Sequence, residues 1–194
     1  MLFRSAILDS ETKKIEFLRW GLVPGWAKDI EIGNRLINAR SETIMEKPSF
    51  KNAFARRRCL ILADGFYEWK KPATKGATSQ PYYFFLEDKK PFALAGIWEI
   101  WHAPDGGELW SAAIITCDAN DVVAPVHERM PVVFDKDQMF DWLQDRPQKE
   151  LVQMMQPYPE EKMNSYMVGK AVNSPFNDTP DCIEEKKPNS GLFS

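Results

Sequence analysis

The sequence predicts an α+β fold, a mostly antiparallel sheet with short peripheral helices, in a single domain over residues 1–194. Three observations lead there. Between residues 59 and 117, short runs of β-branched and aromatic residues recur, each closed by turn residues. Apolar residues at helical spacing occur only in brief stretches. A chain of 194 residues with 44% hydrophobic and 27% charged residues has the composition of one ordinary globular core.

In chain order, Arg4–Leu8 and Lys14–Trp20 read as a hairpin across the polar turn Asp9-Ser10-Glu11-Thr12, with Ile15, Phe17 and Arg19 on one face. Gly21-Leu22-Val23-Pro24-Gly25-Trp26 breaks the second strand. An extended piece, Leu36–Arg40, leads to Ser41 as a helix N-cap. A second helix starts at Ser49, packs Phe50, Ala53 and Phe54, and ends at Arg56-Arg57-Arg58, where cations suit the helix dipole. Strands follow at Cys59–Ala63, Phe66–Lys70, Tyr82–Leu86, Phe92–Trp98 and Leu109–Cys117, with residues 71–80 as a mobile loop. Pro131–Phe134 reads as a strand, Asp135 as the cap of a helix packing Met139, Phe140, Trp142 and Leu143, and Pro147 as the start of a short helix to Met155. The tail from Asn177 is acidic and Pro-rich, and about 185–194 is expected to fray.

Composition excludes several classes. No apolar run approaches the ~18–20 residues of a membrane span, and the apolar start is too short for a signal peptide, so a cytoplasmic location is expected. Cys59, Cys117 and Cys182 form neither a C-x-x-C pair nor a disulfide framework, and with only His102 and His127 no zinc site is expected. P-loop, dinucleotide fingerprint and nucleophile elbow are all missing, so no cofactor is expected either. The net charge of -3 conceals an asymmetry: residues 1–71 hold 14 Lys+Arg against 9 Asp+Glu, the remainder 11 against 19. A local positive field of that kind suits a phosphate backbone, though Arg56–Arg58 alone could be a solvated helix end.

Four clusters could carry chemistry. Asp64-Gly65-Phe66-Tyr67-Glu68-Trp69 sets a carboxylate among aromatics on a strand, where burial against Tyr67 and Trp69 would raise its pKa and make it a proton shuttle; a strand Glu facing water is the bland alternative. His127 sits in a loop between Pro125 and Pro131, a rigid mount for an imidazole, or a plain surface histidine, whereas His102 lies in a polar hairpin loop and reads as solvated. Asn38-Ala39-Arg40-Ser41 puts an amide and a guanidinium beside a helix start, able to hold a phosphate or merely to satisfy a turn. Trp26, after Pro24-Gly25, is placed to expose its ring for stacking on an unpaired base, if packing does not claim it.

The order of motifs is more specific than any one of them. Trp20-Gly21-Leu22-Val23-Pro24-Gly25-Trp26, Asn38-Ala39-Arg40-Ser41-Glu42-Thr43, Lys47-Pro48-Ser49-Phe50, Arg58-Cys59-Leu60, Ala63–Trp69, His127-Glu128-Arg129-Met130-Pro131 and the late Ala171-Val172-Asn173 with Asn177-Asp178 closely resemble the SOS-response-associated peptidase (SRAP) family. The resemblance spans nearly the whole chain. It implies a compact α+β fold round a distorted β-barrel, and a sensor and shield of abasic sites in single-stranded DNA; separately, no membrane association and a monomer are expected. Members of that family remove their initiator methionine and use the amine and thiol of the exposed cysteine to form a thiazolidine with the ring-opened sugar, an autopeptidase and lyase-like DNA–protein crosslinking activity. By the same resemblance Asn38 would orient the sugar, Glu68 would shuttle protons, His127 would assist Schiff-base formation and ring opening, and Trp26, Arg40 and Arg129 would hold bases and phosphates.

Two features depart from the family pattern. Ile61-Leu62 stands where the family has a proline before Ala-Asp-Gly. The family begins Met-Cys-Gly-Arg and has a further segment before the hairpin, whereas this sequence begins Met1-Leu2-Phe3-Arg4. The N-terminal family segment is therefore expected to be missing, and the chain as printed to form no thiazolidine. The alternatives are a noncovalent single-stranded DNA binding module and, less in keeping with the basic and aromatic residues, a small-molecule hydrolase using Glu68 and His127.

Overall fold

A computed structural model describes residues 2–9, 12–74 and 76–186, with side chains from residue 14 onward. Strands β1 (Leu2–Asp9) and β2 (Thr12–Trp20) form the expected hairpin, in register from Leu2 with Arg19 to Asp9 with Thr12. The tip residues 10 and 11 and the tail beyond 186 lie outside the described residues. Further along come β3 (Asn38–Arg40), α1 (Lys51–Arg56), β4 (Arg58–Ala63), β5 (Phe66–Lys70), β6 (Gln80–Leu86), β7 (Phe92–His102), β8 (Glu108–Asp118), β9 (Arg129–Pro131), β10 (Val133–Phe134), α2 (Gln148–Met154) and β11 (Met163–Met167).

Five strands pair in a ring: β1 with β2, β2 with β8, β8 with β7, β7 with β4 and β4 with β1. The ring is the expected distorted barrel, antiparallel except where β2 meets β8 in parallel over Arg19–Ser111 and Trp20–Ala112. Gly96 makes one seam possible, since a Cβ there would stand 2.7 Å from the Cys59 sulfur on β4. Leu18, Cys59, Ile61, Ala112 and Ile115 are buried in or against the barrel. Ile15 and Phe17, alternating with Leu18, point outward and are 67% and 60% exposed.

Beyond the Gly96–Ile114 pair, β7 and β8 diverge, and residues 129–134 fill the gap. The single strand expected at Pro131–Phe134 is therefore two: β9 bonds β8 and β10 bonds β7. Val132 between them donates to the Ile115 carbonyl and accepts from the Ala95 amide, both at 2.9 Å. This wedge brings residues 127–129 to the end of β8. β3 lies along the opposite edge of β8 in parallel, Asn38 beside Ile114 and Arg40 beside Thr116.

Two expected helices are not helices. Ser41 does not cap one: its hydroxyl donates to Glu42 Oε1 at 3.0 Å, and only the 3-10 turn Ser41–Thr43 follows before Pro48. Asp135 does accept from the Asp137 and Gln138 amides, yet the chain runs through turns to the 3-10 helix Asp141–Leu143. Tertiary bonds dictate that path. Trp142, fully buried, donates its indole N–H to the Cys59 carbonyl at 3.1 Å, and Arg58 gathers the carbonyls of Trp142, Gln144, Phe54 and Ala55. Phe140, expected to pack, is 38% exposed.

A strand missed in the sequence, β11, completes a second, three-stranded sheet of order β11-β6-β5. Its residues Met163-Asn164-Ser165-Tyr166-Met167 lack β-branched side chains, and pairing with β6 decides their conformation.

Candidate functional site

Glu68 stands at the middle of β5, directly across from Tyr82. Tyr67 and Trp69 project to the opposite face and touch each other, ring centres 6.3 Å apart, so they are not what buries the carboxylate. On its own face are Phe66, Tyr82 and the imidazole of His127, whose Nδ1 lies 3.9 Å from Glu68 Oε2. Burial raises the Glu68 pKa above the usual carboxylate range, and neither the nearby imidazole nor the Trp69 amide, both of which favour the anion, offsets it fully.

The rest of the Asp64–Trp69 motif is structural. Tyr83 donates its hydroxyl to Asp64 at 3.3 Å, and Gly65 leaves room for that ring, which would otherwise collide with a side chain. Phe66 stacks on Phe84 at 5.1 Å. Burial pushes the Tyr67 hydroxyl up to about 12, and burial with the Asp64 charge pushes Tyr83 up as well, so both phenols are neutral donors at physiological pH.

His127 arrives on a connector fixed by a residue the sequence did not single out. Asn120 is buried, accepts from the Val123 amide at 3.0 Å and donates to the Tyr158 carbonyl at 2.8 Å. It acts as an N-cap for the turn whose last bond runs from the His127 amide to the Val123 carbonyl. The polar run Asp118-Ala119-Asn120 signals a turn after β8 but gives no hint of the tertiary bond. At the ring, the Arg129 amide donates to Nδ1 and the Arg129 carbonyl lies equally near, both at 3.1 Å. A neutral imidazole can accept there, and a protonated one can donate to that carbonyl or face Glu68.

Arg129, two residues on, is held by its two terminal nitrogens, while its buried Nε has no hydrogen-bond partner among the described residues. Its guanidinium donates to both Glu42 oxygens at 2.9 Å, to Asp118 at 2.7 Å and to the Thr116 carbonyl at 2.7 Å. Partial burial opposes ionisation of Glu42, but hydrogen bonds from Arg129, its own amide and Ser41 outweigh it and hold that carboxyl below its ordinary range. The clamp ties the turn after β3 across the end of β8.

Asn38 and Arg40 are both exposed on β3, with buried Ala39 between them, so they share the outer face. The indole of Trp20 braces the approach by donating to the Ile37 carbonyl at 2.9 Å. Trp26 is 58% exposed, although its neighbours are anchored: Trp101 donates to the Ala27 carbonyl at 2.7 Å and the Val23 amide to Ser111 at 2.8 Å. Gly21, at φ +106°, makes the turn into this loop, where the Gly33 carbonyl leaves no space for a side chain. Beside Trp26 opens a cavity of about 660 Å³ lined also by Lys28, Asp29, Glu31, Asn34 and Arg35. The structure thus joins Glu68 to His127 and His127 to Arg129, and Asn38 to Arg40, while Trp26 stands on a separate loop.

The Arg56-Arg57-Arg58 run is not a uniform basic face. Arg58 is committed to four carbonyls, Arg57 pairs with Glu99 at 2.9 Å and covers Trp98, and Arg56 alone of the three is exposed. Cys59, Cys117 and Cys182 are buried free thiols, and burial pushes Cys117 up to about 12 and Cys59 higher still. Among the described residues no group of three His, Cys, Asp or Glu could hold a metal ion, and no helix is long and apolar enough to cross a membrane.

Comparison with known proteins places this geometry in context. The family profile of the SOS response associated peptidases (SRAP) matches residues 3–175. The chain is 41% identical over 180 residues to the abasic site processing protein YoqW of Bacillus subtilis strain 168, covering 92% of this chain and 80% of that one. It is 35% identical over 201 residues to the abasic site processing protein HMCES of Gallus gallus, covering 90% of this chain and 58% of that longer one. A crystal structure of a protein from Bacteroides thetaiotaomicron superposes with a TM-score of 0.83 at 29% identity, over 94% of this chain and 81% of the other.

Proposed function

Because the chain belongs to the SOS response associated peptidase family, we propose that it processes abasic sites in DNA, engaging them in single strands and joining to them covalently when an N-terminal cysteine is presented at the site. The observation that carries this reading is the Glu68–His127 pair, a half-buried carboxyl of raised pKa 3.9 Å from an imidazole with partners for both of its protonation states. The ring-opened sugar of an abasic site carries an aldehyde at C1′. A cysteine amine adds to that carbon and water leaves, giving an imine; the thiol sulfur then adds to the same carbon while its proton passes to nitrogen, closing a thiazolidine. Every step moves a proton, and in this reading Glu68 and His127 move it. Asn38 orients the sugar from the exposed face of β3, and the same Glu68 carboxyl serves removal of the initiator methionine.

For the strand itself, Arg40 offers an exposed guanidinium to a phosphate and Trp26 an exposed ring to a base, beside a cavity large enough for one. Arg129 meets a phosphate by exchange, the phosphate taking over from Glu42 or Asp118. The protein acts as a monomer in the cytoplasm and is nucleoid-associated when bound to DNA. The test is binding and crosslinking with oligonucleotides that differ only in one abasic site, single-stranded against duplex, across a salt series. Salt-sensitive binding to the single strand, with an SDS-resistant adduct on the abasic strand when the family's Met-Cys-Gly-Arg segment precedes residue 3, is expected. Salt-sensitive single-strand binding with no adduct in that form leaves the noncovalent module, and no preference for single strands rejects both.

A further inference from the structure

β5 is the outer strand of its sheet and pairs with β6 alone among the described strands. Glu68 rides on it, while His127 rides on the connector of the other sheet, so the pair depends on what holds β5 besides β6. The segment after β11 runs along β6 and reaches β5 at the Trp69 side chain. The Val168 amide donates to the Pro81 carbonyl at 3.1 Å, Gln80 Nε2 donates to the Val168 carbonyl at 2.9 Å, and Lys170 Nζ donates to Thr78 Oγ1 at 2.7 Å, which fastens the segment to β6 and its approach. The 3-10 helix Lys170–Asn173 follows, and at its end Asn173 Oδ1 accepts from the indole N–H of Trp69 at 2.8 Å, across 104 residues of sequence. Asn177 folds the segment back by donating to the Ala171 carbonyl at 2.7 Å.

Trp69 is the residue after Glu68 and faces the other way, so its indole grips the strand from behind the carboxyl. We infer that Asn173 is a positioning residue: through Trp69 it sets the height of β5 and so the distance of Glu68 from His127. The inference rests on the role given to Glu68 above. Both Asn173 and Trp69 are exposed, and a neutral hydrogen bond in water adds little to folding. A purely structural bond of this kind would therefore be nearly silent, whereas misplacing a reacting group by about 1 Å costs up to ~100-fold in rate.

The readout is the carboxyl of Glu68, followed by ¹³C NMR titration in the full chain and assigned with Glu68→Gln. In the parent, Glu68 titrates above the ordinary glutamate range, burial being the larger of its opposing influences. In Asn173→Ala and in Trp69→Phe, which removes the donor and keeps an aromatic ring, water reaches the carboxyl and the midpoint falls toward the ordinary range, with melting temperatures within about 3 °C of the parent. The double variant falls no further than either single one, since both break the same bond. A parental midpoint in the ordinary range rejects the buried-acid reading of Glu68. A raised parental midpoint that neither variant moves, or a double variant that sums two separate effects, overturns the role of Asn173 while leaving that reading intact. Should Asn173→Ala unfold the segment, Trp69→Phe alone decides.

Discussion

His127 and Arg129 stand two residues apart at the end of β8 and meet opposite fates. The guanidinium of Arg129 is 13% exposed and donates to three acceptor residues at 2.7–2.9 Å, two of them carboxylates. The imidazole of His127 is 35% exposed, and its Nδ1 faces a donor, an acceptor and, at 3.9 Å, the Glu68 carboxylate. The contrast separates framework from chemistry. A charge locked between two carboxylates fixes backbone, and here it fixes the very peptide groups on which the imidazole rests. A ring that exchanges the Arg129 amide for the Arg129 carbonyl or Glu68 as it gains a proton is suited to passing protons.

The largest effect on folding should therefore come from the framework side. Arg129→Ala strands Glu42 and Asp118 against each other and leaves the Thr116 carbonyl without its donor, at a cost of about 2–3 kcal/mol, or a melting temperature lower by ~5–10 °C. His127→Ala should cost less than half of that in the same denaturation experiment. If the order is reversed, the division between framework and chemistry fails.

Trp26 sharpens the contrast from outside, because its neighbours are anchored and its ring is not. Trp26→Ala should leave melting unchanged and weaken single-strand binding by about 1–3 kcal/mol, read by fluorescence titration. Unaltered affinity would return Trp26 to the class of exposed tryptophans without a ligand.

Glu68→Gln gives a smaller effect with a definite pH dependence. Because burial raises its folded pKa, the acid form favours folding fully below about pH 4, and that contribution is lost as pH rises through the folded value. The amide has no proton to lose, so the variant should melt with the parent in acid and above it near pH 7. A variant less stable than the parent at pH 7 would mean that the anion is held by more than His127 and the Trp69 amide. Smallest is Arg40→Ala, expected to reduce the slope of log affinity against log salt by about 0.7, the share of one phosphate on a single strand. Arg129→Ala reducing it by as much would indicate that a phosphate does replace its carboxylates.

The barrel strands were legible because β-branched and aromatic runs with turn residues between them are a local signal; Glu68 and His127 are singled out by motif, and the fold brings them within 3.9 Å of each other. What escaped was tertiary in origin. The helix expected after Asp135 gives way because Arg58 and Cys59, more than 75 residues away, bond the chain at Trp142 and Gln144. β11 is written in polar residues and methionine and exists through β6. The cause of Glu68 burial was misassigned to Tyr67 and Trp69, since strand alternation turns both rings away. The sequence does not single out Asn120, and Asn173 enters only as part of the late Ala171-Val172-Asn173 motif; their bonds to Tyr158 and Trp69 are tertiary and carry no local signal.

The central claim, that Glu68 and His127 act as one proton relay, is tested most directly by the rate of adduct formation and release on an abasic single strand, in a chain carrying the family's N-terminal cysteine segment, for Glu68→Gln and His127→Ala beside their parent at matched folded fraction. The account predicts that Glu68→Gln slows methionine removal and adduct release, that His127→Ala slows adduct formation, and that each loss is ~100-fold or more. Parental rates per folded molecule in both variants would contradict it and leave the pair as packing.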